Sequence, residues 1–316
     1  MSAPRPDDRR WESDYHAPVL VTEVVSALSH ARRVLDGTLG GGGHALALLE
    51  QGATVDAIDR DPQAIAAARE RLAEYEALGR FRPHLGNYAH LERIPALADA
   101  RFDGILLDLG ISSHQIDAPE RGFSFREGAP LDMRMGDDAA GDASSLLDTA
   151  SEGELADMFR RYGDERRAAR LAREIVRRRG RRRFTTSDDL VGAIRAVLGP
   201  RSGAPEFARL FQAVRIAVND ELAGLERALP ALRDRLEAGG VLVVIAYHSG
   251  EDRLVKHAMR EWSAVCTCPP RQVVCTCRGR ALGELIQRKA VVASTEDQER
   301  NPRSRSARLR AWRSAT

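Results

Sequence analysis

The run Gly37-Thr38-Leu39-Gly40-Gly41-Gly42-Gly43 is the first place in this sequence where residue type constrains chemistry. Four consecutive glycines form no regular element. They let the backbone approach a ligand closely and adopt dihedrals that other residues refuse. Asp59 stands nineteen residues after Gly40. A carboxylate at that interval and at a strand end can accept hydrogen bonds from both hydroxyls of a ribose. The pair suits a nucleotide-bearing cofactor, NAD and S-adenosylmethionine alike, although the glycine spacing departs from the Gly-x-Gly-x-x-Gly dinucleotide fingerprint. The plain alternative for Asp59 is a loop acid that caps the next helix. Asp108 ends another strand-like run and is open to the same two readings. His248 follows the most strand-like segment of the chain and is a candidate for binding or proton transfer, against an equally weighted structural role.

Two further groups carry chemistry of another kind. All four cysteines lie within twelve residues, as Cys266-Thr267-Cys268 and Cys275-Thr276-Cys277. Two Cys-x-Cys pairs could supply four thiolates to a tetrahedral zinc, although the spacing is tighter than the usual Cys-x-x-Cys. A loop of reduced thiols is the other reading, so the metal stays unknown at this level. The segment from Arg160 to Arg183 holds twelve arginines and ends in Arg177-Arg178-Arg179-Gly180-Arg181-Arg182-Arg183. Such a face favours phosphate backbones, or is a solvated helix face partly paired with Glu165 and Glu174.

These residues need elements to position them. Arg33-Val34-Leu35-Asp36, Thr54-Val55-Asp56-Ala57-Ile58-Asp59 and Phe102-Asp103-Gly104-Ile105-Leu106-Leu107-Asp108 read as buried strands. His44 to Leu49 reads as a helix, and Asp61-Pro62 opens another with a capping carboxylate and a first-turn proline. Strand and helix alternate, which predicts a parallel sheet with helices on both faces. After about Gly110 helical and loop signals replace the strands, with a capping box at Ser151-Glu152-Gly153-Glu154 and a helix between Thr186 and Gly199-Pro200. Phe211, Val214, Val218, Leu222, Leu225 and Leu229 then make one apolar stripe, predicting a single long helix that ends at Pro230. Val241 to Tyr247 is the last strong strand, and 307–312 alternates like an edge strand.

The chain has 316 residues, 43% hydrophobic and 30% charged, with a net charge of +2, so it is a globular protein and not a polycation. No apolar run nears the ~20 residues that span a bilayer, and the N-terminus lacks a signal-peptide core, so a cytoplasmic location is expected.

The sequence resembles the bacterial 16S rRNA cytosine-N4 methyltransferases of the MraW/RsmH family from His16 to about Trp312. The resemblance is carried by His16-Ala17-Pro18-Val19-Leu20, by 36–44, by 57–62, and by 103–113. It continues through Glu120-Arg121-Gly122-Phe123-Ser124-Phe125, Pro130-Leu131-Asp132-Met133-Arg134-Met135, Phe211-Gln212-Ala213-Val214-Arg215-Ile216, Glu251-Asp252-Arg253 and Asn301-Pro302-Arg303-Ser304-Arg305-Ser306. It implies a class I, Rossmann-like α/β fold with a doubly wound, mostly parallel sheet and an inserted helical domain. Residues 1–14 are then a disordered tail, 15–112 and 209–316 the methyltransferase domain, and 113–208 the insert that recognises RNA.

The resemblance further implies S-adenosylmethionine as cofactor. Gly42, Gly43 and His44 fall where the family's loop holds the methionine end, Asp59 on the ribose, and Tyr88 near the adenine; Asp108 and Gln115 complete the site. The implied substrate is the exocyclic N4 of a cytosine in the decoding region of 16S rRNA, on the small ribosomal subunit. The family's pattern is broken at His114, often proline, and at Tyr247 and Gly250, commonly Phe and Leu; the glycine is expected to loosen the loop that holds His248. Cytosine's amine is conjugated with its ring and poorly nucleophilic. An acceptor aimed at its N–H groups would favour the reactive form, and the usual Asp/Asn-Pro-Pro-aromatic motif is absent. Asp108 is the expected acceptor, with His248 second. A nicotinamide dehydrogenase, an RNA-binding assembly factor with a vestigial cofactor site, and a methyltransferase with another substrate are the competing readings.

Overall fold

The computed structural model describes residues 8–13, 17–269, 271–272 and 274–315, and it divides into two compact units, 1–110 with 222–316 and 111–221. The first unit begins with α1 (Val21–Ala27), β1 (Arg33–Asp36), α2 (Gly43–Glu50), β2 (Thr54–Asp59), α3 (Pro62–Arg71), α4 (Ala73–Ala77), β3 (Phe81–Leu85) and β4 (Phe102–Asp108). Asp61 caps α3 as its sequence suggests: its Oδ1 accepts from the Gln63 N–H at 3.0 Å, and Pro62 sits in the first turn where its missing N–H costs nothing.

The second unit is helical, with α5 (Ser113–Asp117), α6 (Ala143–Thr149), α7 (Glu152–Arg161), α8 (Ala168–Arg179), α9 (Ser187–Leu198) and α10 (Ala204–Asn219). The expected capping box is present: the Glu154 N–H donates to Ser151 Oγ at 3.2 Å and the Ser151 N–H to Glu154 Oε2 at 2.7 Å. Apolar faces of α6 to α10 close on one another around Leu155, Phe159, Leu171, Ile175, Leu190, Ile194 and Leu210.

The chain returns through α11 (Glu221–Arg233), β5 (Leu236–Ala246), α12 (Ser249–Ser263), β6 (Gly283–Leu285), β7 (Val291–Val292), α13 (Thr295–Arg300) and β8 (Arg308–Ser314). The strands form one sheet in the order β3-β2-β1-β4-β5-β8-β6, with β7 also on β8. β1 to β5 run parallel, and β8 is antiparallel to β5, β6 and β7. Successive residues on a strand face opposite sides, and the core follows that period of two. Val34, Leu106, Val243 and Ile245 pack with α1, α2 and α3, whereas Leu35, Ile105, Leu107, Leu242 and Val244 pack with α11 and α12. Among the described residues no helix is long and apolar enough to cross a membrane.

Several expectations need correction. The stripe from Phe211 to Leu229 is two helices, broken at Asp220, whose φ of 52° is left-handed. Phe211, Val214 and Val218 join the core of the second unit, and Leu225 and Leu229 that of the first, so the division falls after 221 and not at 209. Pro230 lies inside α11, one turn before its end. β8 is an interior strand flanked by β5 on one side and by β6 and β7 on the other, with Leu309, Ala311 and Trp312 buried. Of the expected disordered tail, 8–13 is ordered: Trp11 is 2% exposed and its indole N–H donates to Glu50. Residues 1–7, 14 and His16 lie outside the described residues.

Candidate functional site

In the order β3-β2-β1-β4-β5, the strand order reverses between β1 and β4 while all five strands stay parallel, and ligands of such sheets bind beyond the carboxyl ends there. An aspartate ends each of three adjacent strands at that edge: Asp59 on β2, Asp36 on β1 and Asp108 on β4. The glycine loop is stitched between them. The Leu39 N–H donates to Ile58 O and the Gly37 N–H to Leu106 O, each at 2.9 Å. The Gly40 N–H donates to Asp59 Oδ2 at 2.8 Å, and the Asp108 N–H to Thr38 Oγ1 at 2.6 Å. Gly40 and Gly42 have φ of 51° and 75°, which only glycine adopts freely. A Cβ on Gly40 would meet nothing within 4 Å, so the loop opens at that point.

Electrostatics sets this edge apart. Burial pushes the Asp36 carboxyl up to about 7, against the hydrogen bond from the Thr38 N–H and with the help of the nearby Asp59 charge. Asp59 is raised to about 6, burial outweighing the N–H donors of Asp61 and Gly40. Asp108 is raised to about 8, mainly by burial, against the Tyr247 hydroxyl that donates to its Oδ1 at 2.9 Å. Asp36 Oδ2 is buried with no hydrogen-bond partner. Three acids that each resist ionisation, Asp36 buried and Asp59 and Asp108 half-buried, mark a site that gains from a cation or from hydrogen-bond donors.

The residues expected at the site fall as follows. Gly42 precedes α2, while Gly43 and His44 open it. His44 Nε2 lies 3.0 Å from Val19 O, so that nitrogen carries the proton, and Nδ1 faces Asp108 Oδ2 at 3.7 Å, too far for a hydrogen bond. Asp59 already accepts from Gly40 and Asp61, and each oxygen keeps a lone pair for a ribose hydroxyl. Tyr88 follows β3 and flanks the loop: a Cβ on Gly37 would lie 3.2 Å from its Cβ. Gln115 belongs to the second unit, where it is buried and completes the capping box of α5 with Ser112.

His248 is the N-cap of α12. Its Nδ1 accepts from the Gly250 N–H at 3.2 Å, and its Nε2 is 3.2 Å from Glu251 Oε1 without the alignment of a hydrogen bond. Glu251 Oε2 accepts from the Tyr247 and His248 N–H groups at 2.8 and 3.2 Å. The junction is therefore held from both sides, and Gly250 does not loosen it. A Cβ there would stand 3.1 Å from the His248 ring and from Leu222.

Sequence reasoning passed over Asp36, Thr38, Tyr247 and Glu251 as parts of this network. The spacing His248-x-x-Glu251 has the form of a capping box and would have pointed to Glu251. Nothing in the sequence alone brings Tyr247 to Asp108, 139 positions earlier.

A glycine turn between β1 and α2, an acid closing β2 and an antiparallel strand beyond β5 define the α/β domain of S-adenosylmethionine-dependent methyltransferases. The chain belongs to the MraW methylase family, whose model matches residues 13–315. It is 68% identical over 301 residues to the ribosomal RNA small subunit methyltransferase H of Gemmatimonas aurantiaca, covering 95% of this chain and 96% of that one. The protein of the same name from Heliobacterium modesticaldum is 44% identical over 307 residues, with 94% and 97% covered. The chain is a methyltransferase whose methyl donor is S-adenosylmethionine. The residues present fit that donor: the loop opens at Gly40, and the raised acids match a sulfonium's positive charge.

Proposed function

We propose that the protein methylates the exocyclic N4 of a cytosine in the decoding region of 16S rRNA, on the small ribosomal subunit in the cytoplasm. The substrate reading is supported by relatives that carry the small-subunit name along almost their whole length. Within the site, Gly42, Gly43 and His44 hold the methionine end, Asp59 the ribose, and Tyr88 the adenine. Gln115 is assigned by the family resemblance alone. When bound, S-adenosylmethionine supplies an activated methyl group for in-line displacement.

Asp108 carries the catalytic part of the proposal. Its carboxyl sits at the end of β4, with Oδ1 held by the Tyr247 hydroxyl and its backbone fixed through Thr38. Held this way, the carboxyl is oriented to accept from the amine N–H as positive charge develops on nitrogen. Ionised when the sulfonium is bound, it has a proton affinity raised enough to take the amine proton. His248 acts by holding the turn between β5 and α12, since its Nδ1 is engaged by the helix cap. The target base must leave its stack to reach such a pocket.

Small subunits incubated with methyl-labelled S-adenosylmethionine test the reading, with the label mapped by mass spectrometry. Label on a single cytosine of the decoding region is expected. An unlabelled 16S rRNA at stoichiometric enzyme would reject it. His248→Asn keeps a capping side chain and should keep most of the activity, whereas Asp108→Asn should lower kcat by about 10²-fold, the size of one general-base contribution.

A further inference from the structure

The cysteines have no part in the site above, yet the fold brings all four together. Their Sγ atoms lie within 4.8 Å of one another. Cys275 Sγ is 3.9 Å from Cys266, 3.8 Å from Cys268 and 3.4 Å from Cys277, and Cys277 is 3.8 Å from Cys266. A disulfide needs sulfurs at about 2.05 Å, so none is bonded. Four thiolates on one zinc, each at about 2.3 Å, stand about 3.8 Å apart along the edges of the tetrahedron. Three of the separations found here, at 3.8, 3.8 and 3.9 Å, match that edge, the Cys275–Cys277 pair is closer at 3.4 Å, and no pair exceeds 4.8 Å. Each Cys-x-Cys pair contributes two corners, which shows that the tight spacing noted in the sequence does not prevent convergence.

The surrounding chain needs such a staple. Between Ser263 and Gly283 the described residues form no helix or strand. Irregular connections of that length are uncommon without a function or a constraint of their own. Hydrophobic packing does not supply the constraint, because Val265 and Val274 are 62% and 70% exposed. The loop is tied down at its ends: the Leu282 N–H donates to Trp262 O at 2.8 Å, and Arg278 bonds Glu261 and the Ala264 carbonyl of the α12 terminus. Around the sulfurs, the Thr267 N–H donates to Cys277 Sγ at 3.3 Å, the kind of contact that orients a ligating thiolate.

We propose that Cys266, Cys268, Cys275 and Cys277 bind one zinc ion in a closed tetrahedral site that fastens the α12–β6 connection. With all four positions filled by protein sulfur, no place remains for water or substrate, so the metal is structural. Zinc has no redox chemistry, which suits thiolates this exposed to solvent. A multi-iron cluster would need its sulfurs spread around a larger core.

The test uses the full-length protein, purified without a metal-affinity tag and analysed for zinc and iron by plasma mass spectrometry. One zinc per chain is expected, released when a mercurial blocks the thiols. Cobalt reconstitution should give the intense d–d and thiolate charge-transfer bands of a four-sulfur tetrahedral site. Losing even a supporting residue costs about tenfold in metal affinity, so Cys275→Ser should lose zinc to a competing chelator at least that readily. The same variant should bind S-adenosylmethionine within about twofold of the parent, the metal being structural. Should the variant not fold, the parent's metal content decides. Less than about a tenth of a zinc per chain after anaerobic reconstitution with zinc, stoichiometric iron instead, or disulfides in anaerobically purified protein would each overturn the proposal.

Discussion

Asp36, Asp59 and Asp108 stand at one sheet edge with raised pKa values of about 7, 6 and 8, and this has a measurable consequence. At pH 7 the ligand-free site holds a shared load of protons, mostly on Asp36 and Asp108. A sulfonium bound among them favours the ionised forms, so protons must leave on binding. Calorimetry at pH 7 in buffers of different ionisation enthalpy should show release of about one proton per S-adenosylmethionine. At pH 9, above all three values, the release should vanish. The demethylated product has a neutral sulfur and should release less at pH 7. Equal release for both ligands, or uptake, would contradict the reading. The Tyr247 hydroxyl favours ionised Asp108, because a donated hydrogen bond stabilises the carboxylate. Tyr247→Phe therefore raises the Asp108 pKa further. The acidic limb of kcat/KM, where rate climbs as the acid ionises, should move to higher pH by about half to one unit, the worth of one hydrogen bond. An unmoved limb would separate Asp108 from the chemistry.

At the scale of elements, α2 and its glycine entry connect the site to the N-terminal segment. A Cβ on Gly43 would stand 2.7 Å from Pro18 Cγ and 2.9 Å from the Trp11 carbonyl, and a backbone oxygen cannot swing aside as a side chain can. Gly43→Ala should cost about 1–3 kcal/mol, as overpacking does, and each 1 kcal/mol lowers Tm by about 2–4 °C in a unit of this size. A calorimetric scan with unchanged Tm would show that 8–13 is not seated on α2. How far such elements can be read from sequence depends on where their signals come from. β1, β2, β4 and β5 are legible because each carries apolar residues buried on both faces of the sheet, Val34-Leu35, Val55 with Ala57-Ile58, Ile105-Leu106-Leu107 and 241–246. β3 escaped notice because Pro83 sits within it and its two strongly apolar residues, Phe81 and Leu85, stand only at its ends; at the sheet edge a proline is tolerated, its missing donor facing outward. The break at Asp220 was invisible, since the apolar period runs straight through it and only the left-handed backbone redirects the stripe to a second core. Asp59 and the glycine loop were legible from spacing. The Tyr247–Asp108 bond depends on β4 and β5 lying side by side, which topology decides.

For the whole molecule, a net charge of +2 on 316 residues gives no global pull toward RNA, so any attraction must come from local arrangement. Some arginines of the second unit's segment are compensated locally and others are not. Arg177 and Arg178 share Glu174, Arg183 pairs with Asp148, and Arg173 with Glu152, so much of the apparent charge is compensated on its own surface. Arg166, Arg170 and Arg181 are exposed and make no ion pair with other described residues, which leaves their charge available to phosphates. Each phosphate contact contributes about 0.7 to 0.9 to the slope of log affinity against log salt. Replacing all three by glutamate should therefore weaken binding to small-subunit rRNA and flatten that slope by about two to three. Affinity for S-adenosylmethionine should be unchanged, because Gly40, Asp59 and Asp108 belong to the other unit. Fluorescence anisotropy across a salt series reads both quantities. A slope and affinity equal to the parent's would move the RNA contact away from α8 and its flanks, and would leave the compensated arginines as no more than a solvated helix face.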